Sequence, residues 1–421
     1  MRSPEELSAF ISAQRREENF SGLPLKGLRV IDMSTVMAAP FAATLLGDYG
    51  AEVIKIENPA APDAIRGWGV VEDMGISTFW SVVGRNKLPI TLNLRVAEGR
   101  QILMDLIRTA DVLIENMRPG AMERLGLGKE VLFEENPGLI IGNVSGYGLS
   151  GPYSNRPGFG TLAEGFSGFT FLNAQPNGPP TNAPMALADM IAGVHLAFAI
   201  MIALRTQTRG KHGAQLIDMS LFEPLFGFLG PDFLSCYLTG ECPQPKGNEL
   251  SYVVPRNNYL TRDGKWVVLS GAAQKPFERL MEIVGHPEMN EDSRFQSNAE
   301  RVKDANRKII NQVISEWVGS LDVNDVLEKC EEMGITVGPI TSMRDVAENP
   351  HYRERGSMVD LEDPLTGRML KIPNIPFRLL DTPGRIRFAG LPMGSANDIV
   401  YRELLGYSEE KLRELAACGA V

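Results

Sequence analysis

The sequence predicts an α/β protein with a Rossmann-like parallel sheet domain flanked by helices, plus a smaller α+β domain. In the first half, short β-branched runs alternate with helical patterns, which is typical of a mostly parallel sheet. In the second half, several helical stretches surround a hairpin-like strand. The length of 421 residues exceeds what one ordinary core contains, so we expect two domains.

The strands of the predicted sheet follow one another from Leu28 onward. They are LRVIDMS, EVIKIEN, LPITLNL, DVLIEN, LIIGNVS and, after a long apolar helix, QLIDMS. Helical patterns such as AAPFAATLLGDYG and AEGRQILMDLIRTA separate them. This alternation predicts helices on both faces of the sheet.

Changes in composition place the domain boundaries. Residues 1–24 form an expected N-terminal helical extension, which is amphipathic and packs onto the body of the protein. Residues 25–225 form the large Rossmann-like domain, and residues 226–354 form the small α+β domain with its linkers. Residues 355–421 return to the large domain, because the strand-like segment IPFRLL is too short and apolar to stand alone.

Charge and cysteine content exclude several classes of function. The net charge is -10, and Lys and Arg are scattered rather than clustered, so nucleic acid is not an expected partner. The four cysteines (Cys236, Cys242, Cys330 and Cys418) are widely spaced, without a CxxC motif or a nearby His cluster. This spacing predicts neither a zinc site nor a disulfide framework, and it fits a cytoplasmic protein.

The most apolar window runs from Ala186 to Leu204 and is long enough to cross a bilayer. It carries Asp189 and His195, however, and ionisable residues are rare in membrane spans. We therefore expect a buried core helix and no membrane partner. His195 is interpreted as a packed core histidine, and no metal ligand set is expected.

The segment from Gly146 to Gly151 matches the dinucleotide-binding pattern GxGxxG. A dinucleotide fingerprint must open a helix, but Pro152 and Pro157 interrupt any helix here, so NAD or FAD binding is not expected. The first βα turn, Ser34 to Pro40, has no glycine, yet its free amides face the carboxyl edge of the sheet. A ligand other than a dinucleotide fits such a turn.

Asp189 lies at the start of the long apolar helix. Its position is that of a capping or first-turn residue, and most Asp residues in such positions only cap the helix. A partly desolvated carboxylate at a helix N-terminus is also suited to nucleophilic chemistry, so the residues alone leave both roles open. Five cations near the sheet edge could match the phosphates of a nucleotide-like ligand: Arg66, Lys87, Arg95, Arg118 and Arg124.

These residues together resemble the class III CoA transferases, the family of formyl-CoA, carnitine and bile-acid CoA transferases. The resemblance runs from GLRVIDMSTVMAAPFAATLLGDYGAEVIKIE through RNKLPITLNL, ADVLIENMRPGAMERLG and NVSGYGLSGPYSNRPG to ALADMIAG and RGKHGAQLIDMSLFE. It implies a CoA transferase that uses coenzyme A or acyl-CoA as substrate and no tightly bound cofactor. It also implies an interlocked dimer, either a homodimer or a heteromer with a related subunit.

The resemblance assigns roles to individual residues. It implies that Asp189 is the covalent nucleophile, forming aspartyl anhydride and aspartyl-CoA thioester intermediates. Implied CoA contacts are Thr35, Val36, Leu92, Arg95, Asn116, Met117 and Arg124. The implied substrate pocket contains Met37, Phe159 and Gly160, where the formyl-CoA transferases carry a Gln at the first position and an acidic residue at the last. An apolar pocket favours acids bulkier than formate or oxalate, such as substituted dicarboxylates with succinyl-CoA as donor.

Two alternatives stay open. The related α-methylacyl-CoA racemases use a His from a His-Asp dipeptide, but Phe159 and Gly160 stand at the equivalent place and neither side chain can carry a proton. A racemase or epimerase is therefore the second hypothesis. The third is a CoA-binding subunit of a heteromeric CoA transferase.

Overall fold

The computed structural model describes residues 2–210 and 212–421; Met1 of the predicted N-terminal extension and Lys211 of the RGKHGAQ motif lie outside the described residues. The chain divides into two compact units. Unit 1 comprises Met1–Phe169, Ala183–Gly230 and Arg353–Val421, and unit 2 comprises Thr170–Asn182 and Pro231–Tyr352. Residues 170–182 thus group with unit 2, whereas the sequence analysis assigns them to the large domain.

The strands are β1 (Arg29–Asp32), β2 (Glu52–Glu57), β3 (Val70–Val71), β4 (Ile76–Ser77), β5 (Lys87–Thr91), β6 (Val112–Glu115), β7 (Ile140–Ser145), β8 (Gln215–Ser220), β9 (Arg256–Leu260), β10 (Trp266–Ser270), β11 (Thr336–Pro339), β12 (Met358–Glu362) and β13 (Met369–Pro373). The helices are α1 (Pro4–Gln14), α2 (Ala38–Asp48), α3 (Thr78–Val83), α4 (Ala97–Ile107), α5 (Ala121–Arg124), α6 (Lys129–Glu135), α7 (Gly160–Phe166), α8 (Phe169–Leu172), α9 (Leu187–Gln207), α10 (Glu223–Phe228), α11 (Gly230–Thr239), α12 (Gln274–Ile283), α13 (Asn298–Arg301), α14 (Asp304–Gly319), α15 (Val323–Glu332), α16 (Met343–Glu348), α17 (Pro350–Glu354) and α18 (Glu409–Ala417). A π-helical turn covers Ile399–Leu404.

Unit 1 is built on a six-stranded parallel sheet in the order β5-β2-β1-β6-β7-β8. The predicted parallel sheet with flanking helices is therefore confirmed. In β1, Val30 pairs with Val53 on one side and with Val112 on the other. The strand order reverses between β1 and β6, and in open α/β sheets ligands bind at such a switch point, outside the carboxyl ends of the strands.

Alternate residues of each strand face opposite layers, as the two-residue period of a strand requires. Val30 and Val53 belong to the hydrophobic cluster that includes α2 and α9. Ile31 and Ile54 belong to the cluster on the other face, together with α4 and with C-terminal residues such as Phe388. Both faces of the sheet therefore pack against hydrophobic clusters, and the strand residues that belong to these clusters are apolar.

Unit 2 contains the antiparallel sheet β11-β10-β9. Phe277, Ile310, Ile314 and Val326, from α12, α14 and α15, contribute to its hydrophobic core. Two details differ from the sequence analysis. The strand predicted over KIPNIPFRLL is confirmed only at its start, because β13 ends at Pro373 and IPFRLL forms no strand. The structure also joins Cys236 to Cys242 in a disulfide, a pairing that the absence of a CxxC motif did not predict.

The long helix α9 is buried on one side only. Ala192, Leu196 and Ile200 are buried, whereas Val194 is 50%, Phe198 65% and Ile202 52% exposed. The helix is long and apolar enough to cross a membrane by length and composition. A core helix of a soluble protein passes the same test, so this finding is weak evidence for a span. The prediction of a buried core helix was right for only one face.

Candidate active site

A cavity of about 690 Å³ lies in unit 1 at the carboxyl ends of the parallel strands. Its walls come from the turns after β1 and β6, the end of β7, the loop that leads into α7 and the segment before α9. We call it the switch-point cavity. It is lined by Trp68, residues 35–38, 116–119, 144–146, 154, 156–161 and 183–186, Asp189 and Leu221.

The turn after β1 is held in an unusual conformation. Val36 has a φ of 71°, in the left-handed region that a β-branched residue rarely adopts. Its N–H donates to the Asp63 carboxylate at 3.0 Å, and Asp63 also accepts from the Ile65 N–H at 3.3 Å. Backbone strain of this kind costs about 1–3 kcal/mol and persists only where the surroundings enforce it. The hydrogen bond to Asp63 holds Val36, which lies on the cavity wall, in this conformation.

Asn116 joins the two turns across the switch point. Its side-chain oxygen accepts from the Thr35 N–H at 2.9 Å, and its amide nitrogen donates to the Thr35 carbonyl at 2.8 Å. Two reciprocal hydrogen bonds fix the ends of β1 and β6 relative to each other. Thr35, Val36, Asn116 and Met117, all predicted as CoA contacts, therefore lie together on the cavity wall.

Beneath the first turn, four buried charged residues form what we call the buried charge cluster: Asp32, Lys55, Asp63 and Lys87. Lys87 Nζ lies 2.9 Å from Asp32 Oδ2, and Lys55 Nζ lies 3.3 Å from Asp63 Oδ2. Burial acts to raise the pKa of Asp32, but the two ammonium groups outweigh it and the pKa is lowered overall. Burial lowers the pKa of Lys87, and Asp32 opposes that shift.

Two of the five cations proposed from the sequence are thus engaged within the protein. Lys87 is buried in the charge cluster rather than exposed at the sheet edge. Arg66 pairs with Glu57 at 2.5 Å and stacks on the ring of Trp80, with 3.7 Å from Cζ to the centroid. The prediction of a phosphate contact was wrong for Lys87, because sequence alone does not show that a lysine is buried against an internal partner. The prediction for Arg66 stays a prediction.

Asp189 lies in the first turn of α9 and lines the switch-point cavity. It is not the N-cap, which is Ala186. Burial raises its pKa from the ordinary 3.8 to about 6, and the nearby negative charge of Glu164 acts in the same direction. A carboxylate with a pKa of about 6 is about nine-tenths ionised at pH 7 and more basic than an ordinary Asp.

Gly160, the first residue of α7, lies directly against the Asp189 carboxylate. A Cβ built on Gly160 would lie 2.7 Å from Asp189 Cγ, closer than real Cβ atoms approach other atoms. The neighbouring Phe159 lines the cavity with a side chain that is 67% exposed. The dipeptide therefore supplies no proton carrier. Among the described residues that line the cavity there is no His, and Asp189 is the one carboxylate.

Glu164, one turn further along α7, was missed by the sequence analysis. Its side chain is 2% exposed, and its carboxylate accepts from the backbone N–H groups of Ala183 (3.2 Å) and Leu187 (3.2 Å). Leu187 is the first residue of α9, and its N–H is shared between the Glu164 carboxylate and the Met185 carbonyl at 2.8 Å. No local sequence pattern signals this bond, because the partners are 19 and 23 residues apart.

The other predicted site residues divide between the cavity wall and its surroundings. Met37 lines the cavity and is 5% exposed. Leu92 is 1% exposed after β5, and Arg95 and Arg124 are exposed outside the cavity wall, after β5 and in α5. His195 is half-buried and donates from Nδ1 to the Ile191 carbonyl at 2.9 Å, and no potential metal-binding group of three or more residues occurs in the part of the chain that is described.

Other residues that line the cavity were not identified as site residues from the sequence, because no motif marks them. Arg156 stacks on Tyr153, with 3.6 Å from Cζ to the ring centroid, and lines the cavity with Arg118. Ser145, at the end of β7, is 8% exposed and its hydroxyl has no hydrogen-bond partner in the described structure. The GxGxxG segment opens no helix after Gly151, and α7 begins only at Gly160.

Comparison with known proteins decides the family. The model of the family described as "CoA-transferase family III" matches residues 25–397 of this chain. The chain belongs to this family. It is 39% identical to the alpha subunit of succinyl-CoA–L-malate CoA-transferase from Chloroflexus aurantiacus over 93% of this chain and 91% of that one. It is 36% identical to the beta subunit of the same enzyme from the same organism, over 93% of this chain and 97% of that one.

A solved structure agrees in fold. The crystal structure of a CAIB/BAIF family protein from Brucella suis superposes with a TM-score of 0.78 at 29% identity, covering 90% of this chain and 99% of that one. The predicted family and enzyme class are thus confirmed. The protein is a CoA-transferase that moves CoA from an acyl-CoA donor to a carboxylic acid acceptor.

Proposed function

We propose that this enzyme transfers CoA from succinyl-CoA to a dicarboxylic acid, with Asp189 as the nucleophile. The observation that carries the proposal is the position of Asp189 on the wall of the switch-point cavity. Its pKa is raised to about 6, and no described residue forms an ion pair with its carboxylate. A carboxylate paired with a cation would be a weaker nucleophile, because the cation stabilises its charged form.

The proposed reaction has four steps. The Asp189 carboxylate attacks the thioester carbonyl of succinyl-CoA, and the C–S bond breaks to give a mixed anhydride and CoA thiolate. The thiolate attacks the aspartyl carbonyl of the anhydride, which forms an aspartyl-CoA thioester and releases succinate. The acceptor carboxylate attacks this thioester to give a second anhydride and thiolate. The thiolate then attacks the acceptor acyl carbonyl, which restores the Asp189 carboxylate and yields the new CoA ester. The reaction exchanges bonds of similar energy and requires no ATP or metal.

The choice of dicarboxylates rests on the relatives and on two cations. The two Chloroflexus relatives are named for succinyl-CoA and L-malate. Arg118 and Arg156 line the cavity, and neither has a carboxylate within ion-pair distance among the described residues. Guanidinium groups bind phosphate and carboxylate anions through paired N–H donors. Both the CoA phosphates and the second carboxylate of a dicarboxylic acid are anions of this kind.

The proposed CoA contacts form two groups. Thr35, Val36, Asn116 and Met117 lie on the wall of the cavity and are assigned to the part of CoA near the thioester. Leu92, Arg95 and Arg124 lie outside that wall and are assigned to the more distant nucleotide part of CoA. Met37, Phe159 and Gly160 are the proposed acyl pocket.

We also propose that the enzyme works as a dimer. The exposed face of α9 carries Val194, Phe198 and Ile202 at a spacing of four residues, which places them on one side of the helix. Contiguous apolar surface of this kind marks an interface. The partner is either a second copy of this chain or a related subunit, as the alpha and beta subunits of the Chloroflexus enzyme illustrate. Light scattering of the purified chain should give twice the monomer mass if a second copy is the partner.

The test of the function is incubation with succinyl-CoA and a panel of mono- and dicarboxylic acids, with mass spectrometry of the CoA esters formed. We expect new esters with dicarboxylic acids and, on addition of hydroxylamine, a label on Asp189 that appears only in the presence of acyl-CoA. Asp189→Asn should lower the exchange by on the order of 10³-fold or more. Unchanged exchange in this variant, or a label on another residue, would contradict the proposal.

A further inference from the structure

We propose that Glu164 is a positioning residue of this transferase: its buried carboxylate holds the segment that begins α9, and with it the Asp189 side chain, in place against Gly160. The inference rests on the proposed function, since it assigns Asp189 the role of nucleophile. Glu164 itself does not line the switch-point cavity.

The contacts of Glu164 identify what it holds. One carboxylate oxygen accepts from the Ala183 N–H and the other from the Leu187 N–H, both at 3.2 Å. These amides bracket the segment 183–186, which forms part of the cavity wall. Asp189 follows Leu187 by two residues in the same helical turn. A displacement of this segment would therefore move the nucleophile.

Glu164 and Gly160 act from the same side of α7. They are four residues apart, so they share one face of the helix. Gly160 contacts the Asp189 carboxylate directly, and Glu164 binds the backbone that carries it. Helix α7 thus sets both the space available to the nucleophile and the position of its backbone.

A carboxylate is suited to this position for two reasons. Its two oxygens accept one N–H each, whereas a Gln side chain has a single acceptor oxygen. Its negative charge also raises the pKa of Asp189, in addition to the effect of burial. The amides that it accepts from include the first N–H of α9, which has no acceptor within the helix and which Glu164 shares with the Met185 carbonyl.

The other groups that line the cavity around Asp189 do not supply the negative charge that Glu164 supplies. The cavity residues contributed by β7, by the first turn of α2 and by the residue after β8 are uncharged: Met37, Ala38, Val144, Ser145 and Leu221. The charged residues on the remaining walls are Arg118, after β6, and Arg156, in the loop before α7. Neither offsets the rise of the Asp189 pKa that burial and Glu164 produce.

The experiment compares Glu164→Gln, Glu164→Ala and the control Glu410→Gln. Glu410 is an exposed residue of α18, so its replacement removes the same charge without touching the site. In Glu164→Gln we expect kcat to fall on the order of tenfold, KM for the CoA ester to change less than about threefold, and the acid limb of the pH profile to move to lower pH by on the order of 0.5 unit. Glu164→Ala should lose more activity than Glu164→Gln, and Glu410→Gln should match the wild type.

A second readout does not depend on turnover. Carbodiimide with an amine modifies protonated carboxyl groups. The labelling of Asp189, measured by peptide mass spectrometry, should therefore decrease as the pH rises through the pKa of Asp189. In Glu164→Gln this decrease should occur at lower pH than in the wild type. If Glu164→Gln has the kcat, acid limb and labelling profile of the wild type, the inference is wrong.

The inference is also wrong if kcat falls while neither pH profile moves, since that pattern indicates a merely structural residue. A wild-type enzyme that forms no CoA ester with any acid of the panel overturns the proposed function instead. In that case the labelling profile alone decides whether Glu164 controls Asp189.

Discussion

Two regions of unit 1 hold carboxylates that are buried or half-buried, and they differ in what surrounds them. In the buried charge cluster, Asp32 lies 2.9 Å from the ammonium group of Lys87, and its pKa is lowered in spite of complete burial. In the switch-point cavity, Asp189 lies near Glu164 and has no ion-pair partner within the described part of the chain, and its pKa is raised to about 6. The same edge of the sheet therefore contains a carboxylate with a cationic partner, Asp32, and one without such a partner among the described residues, Asp189.

The difference in surroundings corresponds to a difference in role: the paired carboxylates stabilise the structure, and the unpaired carboxylate is the proposed nucleophile. A paired and buried carboxylate fixes the backbone around it: Asp63 lies 3.3 Å from Lys55 Nζ and accepts from the N–H of the strained Val36. An unpaired carboxylate retains basicity, and its burial costs stability that the rest of the fold must offset. We expect substitutions in the first region to change mainly stability and substitutions in the second to change mainly activity.

The largest expected effect breaks the buried charge cluster. Lys55→Met leaves the buried Asp63 without its cation, so the free energy of unfolding should fall by about 3–5 kcal/mol. Urea-induced unfolding measures it. The control is Lys371→Met, which removes an exposed lysine paired with Asp360 at 2.5 Å and should cost less than about 1 kcal/mol. Equal losses in the two variants would show that the cluster is no more important than a surface pair.

The next effect concerns the space beside the nucleophile. Gly160→Ala places a Cβ against the Asp189 carboxylate and should lower kcat by on the order of 10²-fold, because small displacements of reacting groups are costly. Gly165→Ala is the matched control in the same helix, since a Cβ there meets nothing within 4 Å. Steady-state kinetics of CoA exchange measure both variants. A Gly160→Ala enzyme as active as the control would mean that the contact does not constrain Asp189.

The smallest effect concerns the stability cost of the unpaired carboxylate. Because folding raises the pKa of Asp189 from 3.8 to about 6, its contribution to stability is fully present below pH 3.8 and is lost as the pH rises through 6. Asp189→Asn should therefore be more stable than the wild type at pH 8, by on the order of 2 kcal/mol, and the gain should shrink towards pH 4. Urea titrations at the two pH values test the sign. A variant less stable than the wild type at pH 8 would contradict it.

Much of this arrangement follows from local sequence. The six strands of the parallel sheet coincide with β-branched runs, and their order along the chain leads to the switch point where Thr35, Asn116 and Asp189 meet. Because the carboxyl ends of parallel strands share one edge, residues that follow different strands are brought together. The assignment of Asp189 as nucleophile came from the resemblance, since a first-turn Asp alone also fits a capping role.

Other features depend on contacts between distant segments. Sequence does not show that Lys87 is buried against Asp32, 55 residues away, or that Glu164 binds the start of α9. It also does not show which face of a uniformly apolar helix such as α9 is exposed. Periodicity fails there because both faces are apolar.

By itself, the sequence determined the βα alternation, the parallel sheet and the family, because each depends on local patterns of apolar, polar and turn residues. Only the tertiary structure decided which charges are paired and which are not. Pairing depends on distances between side chains far apart in the chain, and the pKa of a buried group depends on those distances and on burial together. The contrast between Asp32 and Asp189 is therefore a property of the fold.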